Sequence, residues 1–161
     1  MSSEPGVGTK FFIYLQAYDE KHGFKEKKAG KILRGSGKIL LMDDEDIVLE
    51  VAGEMLKSIG YDVEFAKDGA KVIDTYKKAK DSGEPFDIVI MDLTIPGGMG
   101  GKEAIQKLLE IDPGIKAIVS SGYSTDPVMA EYKKYGFCDV VAKPYTIEKL
   151  SSSLHRVLKS N

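Results

Sequence analysis

A single cysteine, Cys138, is all the thiol chemistry this 161-residue sequence carries, so no disulfide can close within the chain. That usage fits a reducing compartment and leads us to expect a cytoplasmic protein, with Cys138 as a small core residue. A dominant charge is also lacking: 23 Lys and Arg against 25 Asp and Glu leave a formal net charge of -2. Bulk attraction to polyanions is therefore missing, and neither nucleic acid nor a membrane surface is an expected partner. No apolar run approaches the roughly 20 residues a membrane span requires. The opening MSSEPGVGTK has no apolar stretch of the signal-peptide kind. Compositional bias is absent too, since 42% hydrophobic and 30% charged residues are ordinary for a globular domain with a sizeable core.

What the chain does have is alternation. Short apolar runs at residues 39–42, 63–65, 88–91, 117–119 and 140–141 read as strands. Between them, Ile47, Val48, Val51, Ala52, Met55, Leu56 and Ile59 recur at helical spacing, as do Ala104, Ile105, Leu108 and Leu109. Ile147, Leu150, Leu154, Val157 and Leu158 mark a last helix, and weaker helical patterns cover 70–80 and 127–134. Asp126 before Pro127, and Thr146, are expected N-caps, and Gly136 is expected to end the helix before it. Five strand-helix units predict an α/β fold: a doubly wound, five-stranded parallel sheet covered on both faces. With the flavodoxin-like order 2-1-3-4-5, ligands bind beyond the carboxyl ends of the strands flanking the switch point, here strands 1 and 3.

That edge collects chemistry. Asp43 and Asp44 end the first predicted strand, Asp92 the third, Ser120 and Ser121 the fourth, and Lys143 the fifth. Glu45 and Asp46 read instead as acids favoured by a helix N-terminus. Converging carboxylates repel one another unless a cation is shared among them, and Mg²⁺ suits an all-oxygen site that keeps some of its waters. Lys143 and Ser121 would stabilise phosphoryl oxygens, with Asp92 as nucleophile.

From about Lys38 onward the sequence resembles the receiver domain of two-component response regulators. The likeness rests on the Asp43-Asp44 pair, Asp92 with Pro96 four places on, Ser121-Gly122 and Lys143-Pro144. It implies phosphorylation of Asp92 from phosphohistidine, and Mg²⁺ ligation by Asp44, Asp92 and the Thr94 carbonyl, with Asp43 assisting through water. It also implies that Ser121 swings toward the phosphoryl group, that Lys143 pairs with it, and that the Lys143-Pro144 bond is cis. One departure stands out: three places before the lysine, where many receivers have an aromatic residue, this sequence has Val140.

The stretch GVGTKFFIYLQ resembles the last glycine-rich turn and closing strand of a histidine-kinase ATPase domain, with Gln16 where that pattern has proline. The remaining nucleotide-binding boxes are missing, so the chain is expected to accept phosphate without a kinase core of its own. The expected organisation is an ATPase-domain remnant over 1–18, a linker over 19–37 ending in a flexible Gly-Ser-Gly, and a receiver over 38–161. This is the arrangement of a hybrid sensor kinase's carboxy-terminal piece, which is compatible with a membrane-anchored parent kinase. Expected partners are a histidine kinase core in cis or trans, a histidine phosphotransfer protein, or a second copy of the receiver. Tyr123, Tyr132, Tyr135 and Phe137 serve either packing or a partner surface. Two other functions compete: a metal-dependent phosphohydrolase with an Asp nucleophile, disfavoured because Thr94 stands where its second acid belongs, and a degenerate receiver that only binds proteins.

Overall fold

The chain is described here from a computed structural model, which covers residues 2–6, 8–14, 32–122 and 126–159. Five short, β-rich apolar runs separated by amphipathic helices give β3 (Lys38–Met42), α1 (Asp46–Ser58), β4 (Asp62–Ala66), α2 (Gly69–Asp81), β5 (Ile88–Asp92), α3 (Gly101–Ile111), β6 (Ala117–Ser121), α4 (Pro127–Ala130), β7 (Asp139–Ala142) and α5 (Ile147–Lys159). The parallel sheet runs β4-β3-β5-β6-β7, which is the predicted order. Ile39, Leu41, Ile88, Ile90 and Ile118 pack under α1 and α5. Leu40, Met42, Val89, Met91 and Val119 pack under α2 and α3. Each central strand is thus apolar on both sides, which is why these runs are continuous rather than alternating.

Local signals held at the helix ends. Asp126 accepts a hydrogen bond from the Val128 N–H with Pro127 in the first turn, and the Thr146 hydroxyl accepts from the Lys149 N–H at 3.4 Å. Gly136 takes φ 92° after the fourth helical region, and the Lys143-Pro144 peptide is cis.

Four expectations need correction. The helix predicted over 127–134 breaks at Glu131 (φ -115°) into one α turn and a 3-10 turn at Tyr132–Tyr135. The apolar spacing of Val128, Met129 and Tyr132 suits either geometry, so it could not reveal the break. Cys138 is exposed rather than in the core. It follows buried Phe137 and precedes buried Asp139, and its N–H bonds to the Ala117 carbonyl while its side chain points outward.

The third correction concerns the linker's end. Residues 35–37 are fastened to the domain: the Gly35 N–H donates to the Ile59 carbonyl at 3.0 Å and the Asp62 N–H to the Gly37 carbonyl at 2.9 Å. A Cβ on Gly35 would lie 2.0 Å from the Tyr61 hydroxyl, and one on Gly60 (φ 104°) 2.3 Å from the Gly35 carbonyl. These glycines permit close approach, where composition alone suggested flexibility. Residues 19–31 of the expected linker, with His22, lie outside the described residues, as do Leu15, Gln16 and Tyr123. Phe137 is buried, and Tyr132 and Tyr135 pack beside it on the α2/α3 side.

Near the amino terminus, β1 (Ser2–Glu4) pairs antiparallel with β2 (Gly8–Lys10). The expected closing strand over FFIYL is not formed at 11–14; Phe11, Phe12, Ile13 and Tyr14 are 59–91% exposed, and the strand is Gly8–Lys10 instead. Among the described residues, no helix is long and apolar enough to cross a membrane.

Candidate functional site

Side chains alternate along a strand. Asp43 lies two residues past Leu41, Asp92 two past Ile90, and Lys143 two past Val141, all on the α1/α5 side. Alternation therefore sends the three charged groups to one side of one sheet edge. Their contacts agree: Lys143 Nζ lies 2.5 Å from Asp43 Oδ2 and 2.8 Å from Asp92 Oδ2. Asp44 completes the group, since one carboxylate oxygen from each of Asp43, Asp44 and Asp92 falls within a 4.8 Å span. Ser121, Thr94, Pro96, Gly122, Glu45, Asp44, Asp92 and Lys143 surround an open cavity of ≈ 330 Å³ above them.

The electrostatics are unbalanced. Asp43 is fully buried, its Oδ1 accepting the Glu45 N–H at 3.2 Å. Its Oδ2 has the Lys143 charge close by but no donor in hydrogen-bonding geometry. Burial pushes the Asp92 carboxyl above its usual range and Asp43 adds to this, while Lys143 and the Thr94 N–H pull the other way. Burial works against the Lys143 ammonium, yet its contacts with Asp43 and Asp92 outweigh that and hold its pKa above the ordinary lysine value. One ammonium against three carboxylates leaves a negative pocket with a buried oxygen still short of a donor. An oxygen-only donor set of this kind fits a hard divalent cation such as Mg²⁺.

The glycine-rich turn after Asp92 brings α3 close beneath it. A Cβ on Gly100 would lie 2.3 Å from the Leu93 carbonyl, and one on Gly101 2.7 Å from the Asp92 carbonyl. Of the two flanking acids, Asp46 sits in the first turn of α1 as expected, whereas Glu45 is the N-cap residue without a side-chain cap bond.

Two participants escaped the sequence reading. Lys67 reaches across from the loop after β4, donating to the Asp44 carbonyl at 3.0 Å and pairing with Asp46. The Tyr145 hydroxyl lies 2.8 Å from the hydroxyl of Ser120, which is fully buried. Burial pushes the Tyr145 phenol up to about 12, so it stays neutral at ordinary pH. These are tertiary contacts between distant strand ends, and no local pattern announces them. Val140, where an aromatic is usual, is half-buried against the α2/α3-side core.

Comparison with known proteins follows the same outline. The family description "Response regulator receiver domain" matches residues 39–155. The chain is 32% identical over 169 residues to the sensor kinase CckA of Brucella abortus, covering 98% of this chain but 17% of that protein. It is 31% identical to the chemotaxis protein CheY of Thermotoga maritima, covering 76% of this chain and 98% of that one. Among solved structures, the chemotaxis protein CheY4 of Vibrio cholerae superposes with a TM-score of 0.68 at 26% identity, over 77% of this chain and all of that one, 100%. The receiver domain of a Pseudomonas aeruginosa sensor histidine kinase, solved with a magnesium ion coordinated in its active-site cleft, shares the fold at 23% identity and a TM-score of 0.68, covering 78% of this chain and 100% of its own.

Proposed function

The chain belongs to the response regulator receiver family, and from that premise we propose that it is a phosphoacceptor of a phosphorelay, taking its phosphoryl group on Asp92. The observation that carries the reading is the meeting of Asp43, Asp44, Asp92 and Lys143 beside one open cavity. An Asp92 carboxylate oxygen attacks phosphorus, the P–N bond to the donor's histidine breaks, and the imidazole nitrogen leaves with the electron pair. Asp44, Asp92 and the Thr94 carbonyl would hold Mg²⁺, with Asp43 behind them. Bound there, the ion would supply charge neutralisation for the phosphoryl oxygens. Lys143 transfers its ion pair from the Asp92 carboxylate to those oxygens, and the Ser121 hydroxyl donates to them.

The match with a sensor kinase over 98% of the chain, amino-terminal segment included, supports an origin at the carboxy-terminal end of a hybrid kinase. On that reading, residues 1–18 belong to the ATPase domain, 19–37 connect, and 38–161 form the receiver in the cytoplasm. A histidine kinase core in cis or trans, a histidine phosphotransfer protein and a second receiver are the partners such a position offers. The phosphohydrolase alternative has no carboxylate two residues past Asp92, where Thr94 stands. Incubation with a phosphohistidine protein and Mg²⁺ should leave an alkali-labile, hydroxylamine-sensitive phosphate on wild type and none on Asp92→Asn. Steady phosphate release from small phosphomonoesters, with no such adduct, would favour the hydrolase instead.

A further inference from the structure

Strand β6 ends in two serines whose side chains alternate to opposite faces. Ser121 lines the cavity. Ser120 turns toward α1 and α5, is fully buried, and meets the Tyr145 hydroxyl at 2.8 Å. A hydroxyl sealed away from water needs such a partner, so the pair is held together by the cost of separating it. The Lys143 N–H, meanwhile, donates to the Ser121 carbonyl at 2.9 Å. Lys143 is therefore bracketed: its own amide is tied to one serine, and the residue two places on is tied to the other. The Tyr145 ring packs on the α1/α5-side core and lines an apolar groove with Ile47, Val48, Val51 and Pro144.

We propose that Tyr145 is a positioning residue for phosphoryl transfer, acting through Ser120 to hold the Lys143 turn against the end of β6 so that the ammonium stays between Asp43 and Asp92. This rests on the phosphoacceptor reading above. A long flexible side chain delivers its charge to one place only if its base is fixed, and small misplacements of a group at the reacting atoms are costly in rate. Packing alone would hold the ring; the hydroxyl fixes its angle, and with it the turn.

The test uses Tyr145→Phe, Ser120→Ala and the double variant, all measured well below their unfolding midpoints. With a small acyl phosphate and Mg²⁺, each single variant should take up phosphate roughly three- to tenfold more slowly than wild type. The double variant should be no slower than either single one, because the two residues act as a unit. In the metal-free protein, the ¹H–¹⁵N signal of the Lys143 ammonium should broaden in every variant as it gains access to water. Wild-type uptake with a sharp ammonium signal in both single variants overturns the proposal, as does a loss in the double variant equal to the product of the single losses. Should Tyr145→Phe fold poorly, Ser120→Ala carries the same comparison. A wild type that takes no phosphate sinks the phosphoacceptor reading instead, and the metal-free signal still decides the role of Tyr145.

Discussion

Neutralising Asp44 should make the metal-free protein more stable and the metal-bound protein less so. In the absence of a cation, the Asp44 carboxylate faces those of Asp43 and Asp92 within a 4.8 Å span. Two like charges at that distance repel by about 1 kcal/mol at the water-like dielectric suited to an exposed group, so two such pairs cost about 2 kcal/mol. Attraction to the Lys143 ammonium returns part of this, leaving a net gain of about 1 kcal/mol for Asp44→Asn, or ~2–4 °C in Tm. A ligand that binds only the native state adds about 2.7 kcal/mol at a hundredfold excess over its Kd. Wild type should gain that from Mg²⁺, and the amide variant should lose most of it. Urea unfolding followed by circular dichroism, once in EDTA and once in saturating Mg²⁺, should therefore give curves whose order inverts. A variant less stable than wild type in EDTA, or one that Mg²⁺ stabilises as fully as wild type, would refute the account of the pocket as a cluster of mutually repelling acids awaiting a cation.

Gly60→Ala should lower Tm by at least ~5 °C, from a cost of roughly 2 kcal/mol or more, because the new methyl meets the Gly35 carbonyl at 2.3 Å on backbone held at φ 104°. An unchanged melting curve would show that residues 35–37 are not fastened to the domain. Asp112 gives a pH dependence. Its carboxylate accepts the Tyr76 hydroxyl at 2.8 Å, pairs with Lys80 and accepts the Gly114 N–H, and these contacts, Tyr76 first, hold its pKa below the ordinary value. A depressed folded-state pKa gives stability that is present above pH ~4 and lost as pH falls through the folded value. Asp112→Ala should cost ~1.5–3 kcal/mol at pH 7, and the gap to wild type should close below pH 4. A gap that persists unchanged at pH 2.5, in the same urea assay, would mean that ionisation is not what the contact uses.

The charged residues of the site were legible because each ends an uninterrupted apolar run: Asp43 after Met42, Asp92 after Met91, Lys143 after Ala142. In a sheet buried on both faces, the run's end marks the edge where ligands bind, so position in the sequence becomes position in space. Alternation alone does not say which serine faces the cavity: Ser120 shares the α1/α5 side with the charged groups but is buried against Tyr145, and Ser121, the last residue of β6, is the one that lines the cavity. The Lys67 and Tyr145 contacts lie beyond any local pattern, since each joins a loop to a strand or loop that the chain reaches only after folding. Gly35 and Gly37 show the reverse difficulty: glycine marks both loose chain and tight contact, and the neighbours at Tyr61, Gly60 and Asp87 that distinguish the two are distant in sequence. The break at Glu131 was hidden because 3-10 and α turns place the same apolar residues on the same side.

The central claim, that Asp92 beside this acid pocket accepts a phosphoryl group, is tested most directly by titrating beryllofluoride, a phosphoryl mimic, with Mg²⁺ while recording backbone amide signals at Thr94, Ser121 and Lys143. Wild type should saturate with shifts at all three positions, and Asp92→Asn should show none under the same conditions. Saturation of the Asp92→Asn protein with the same shifts would contradict the assignment.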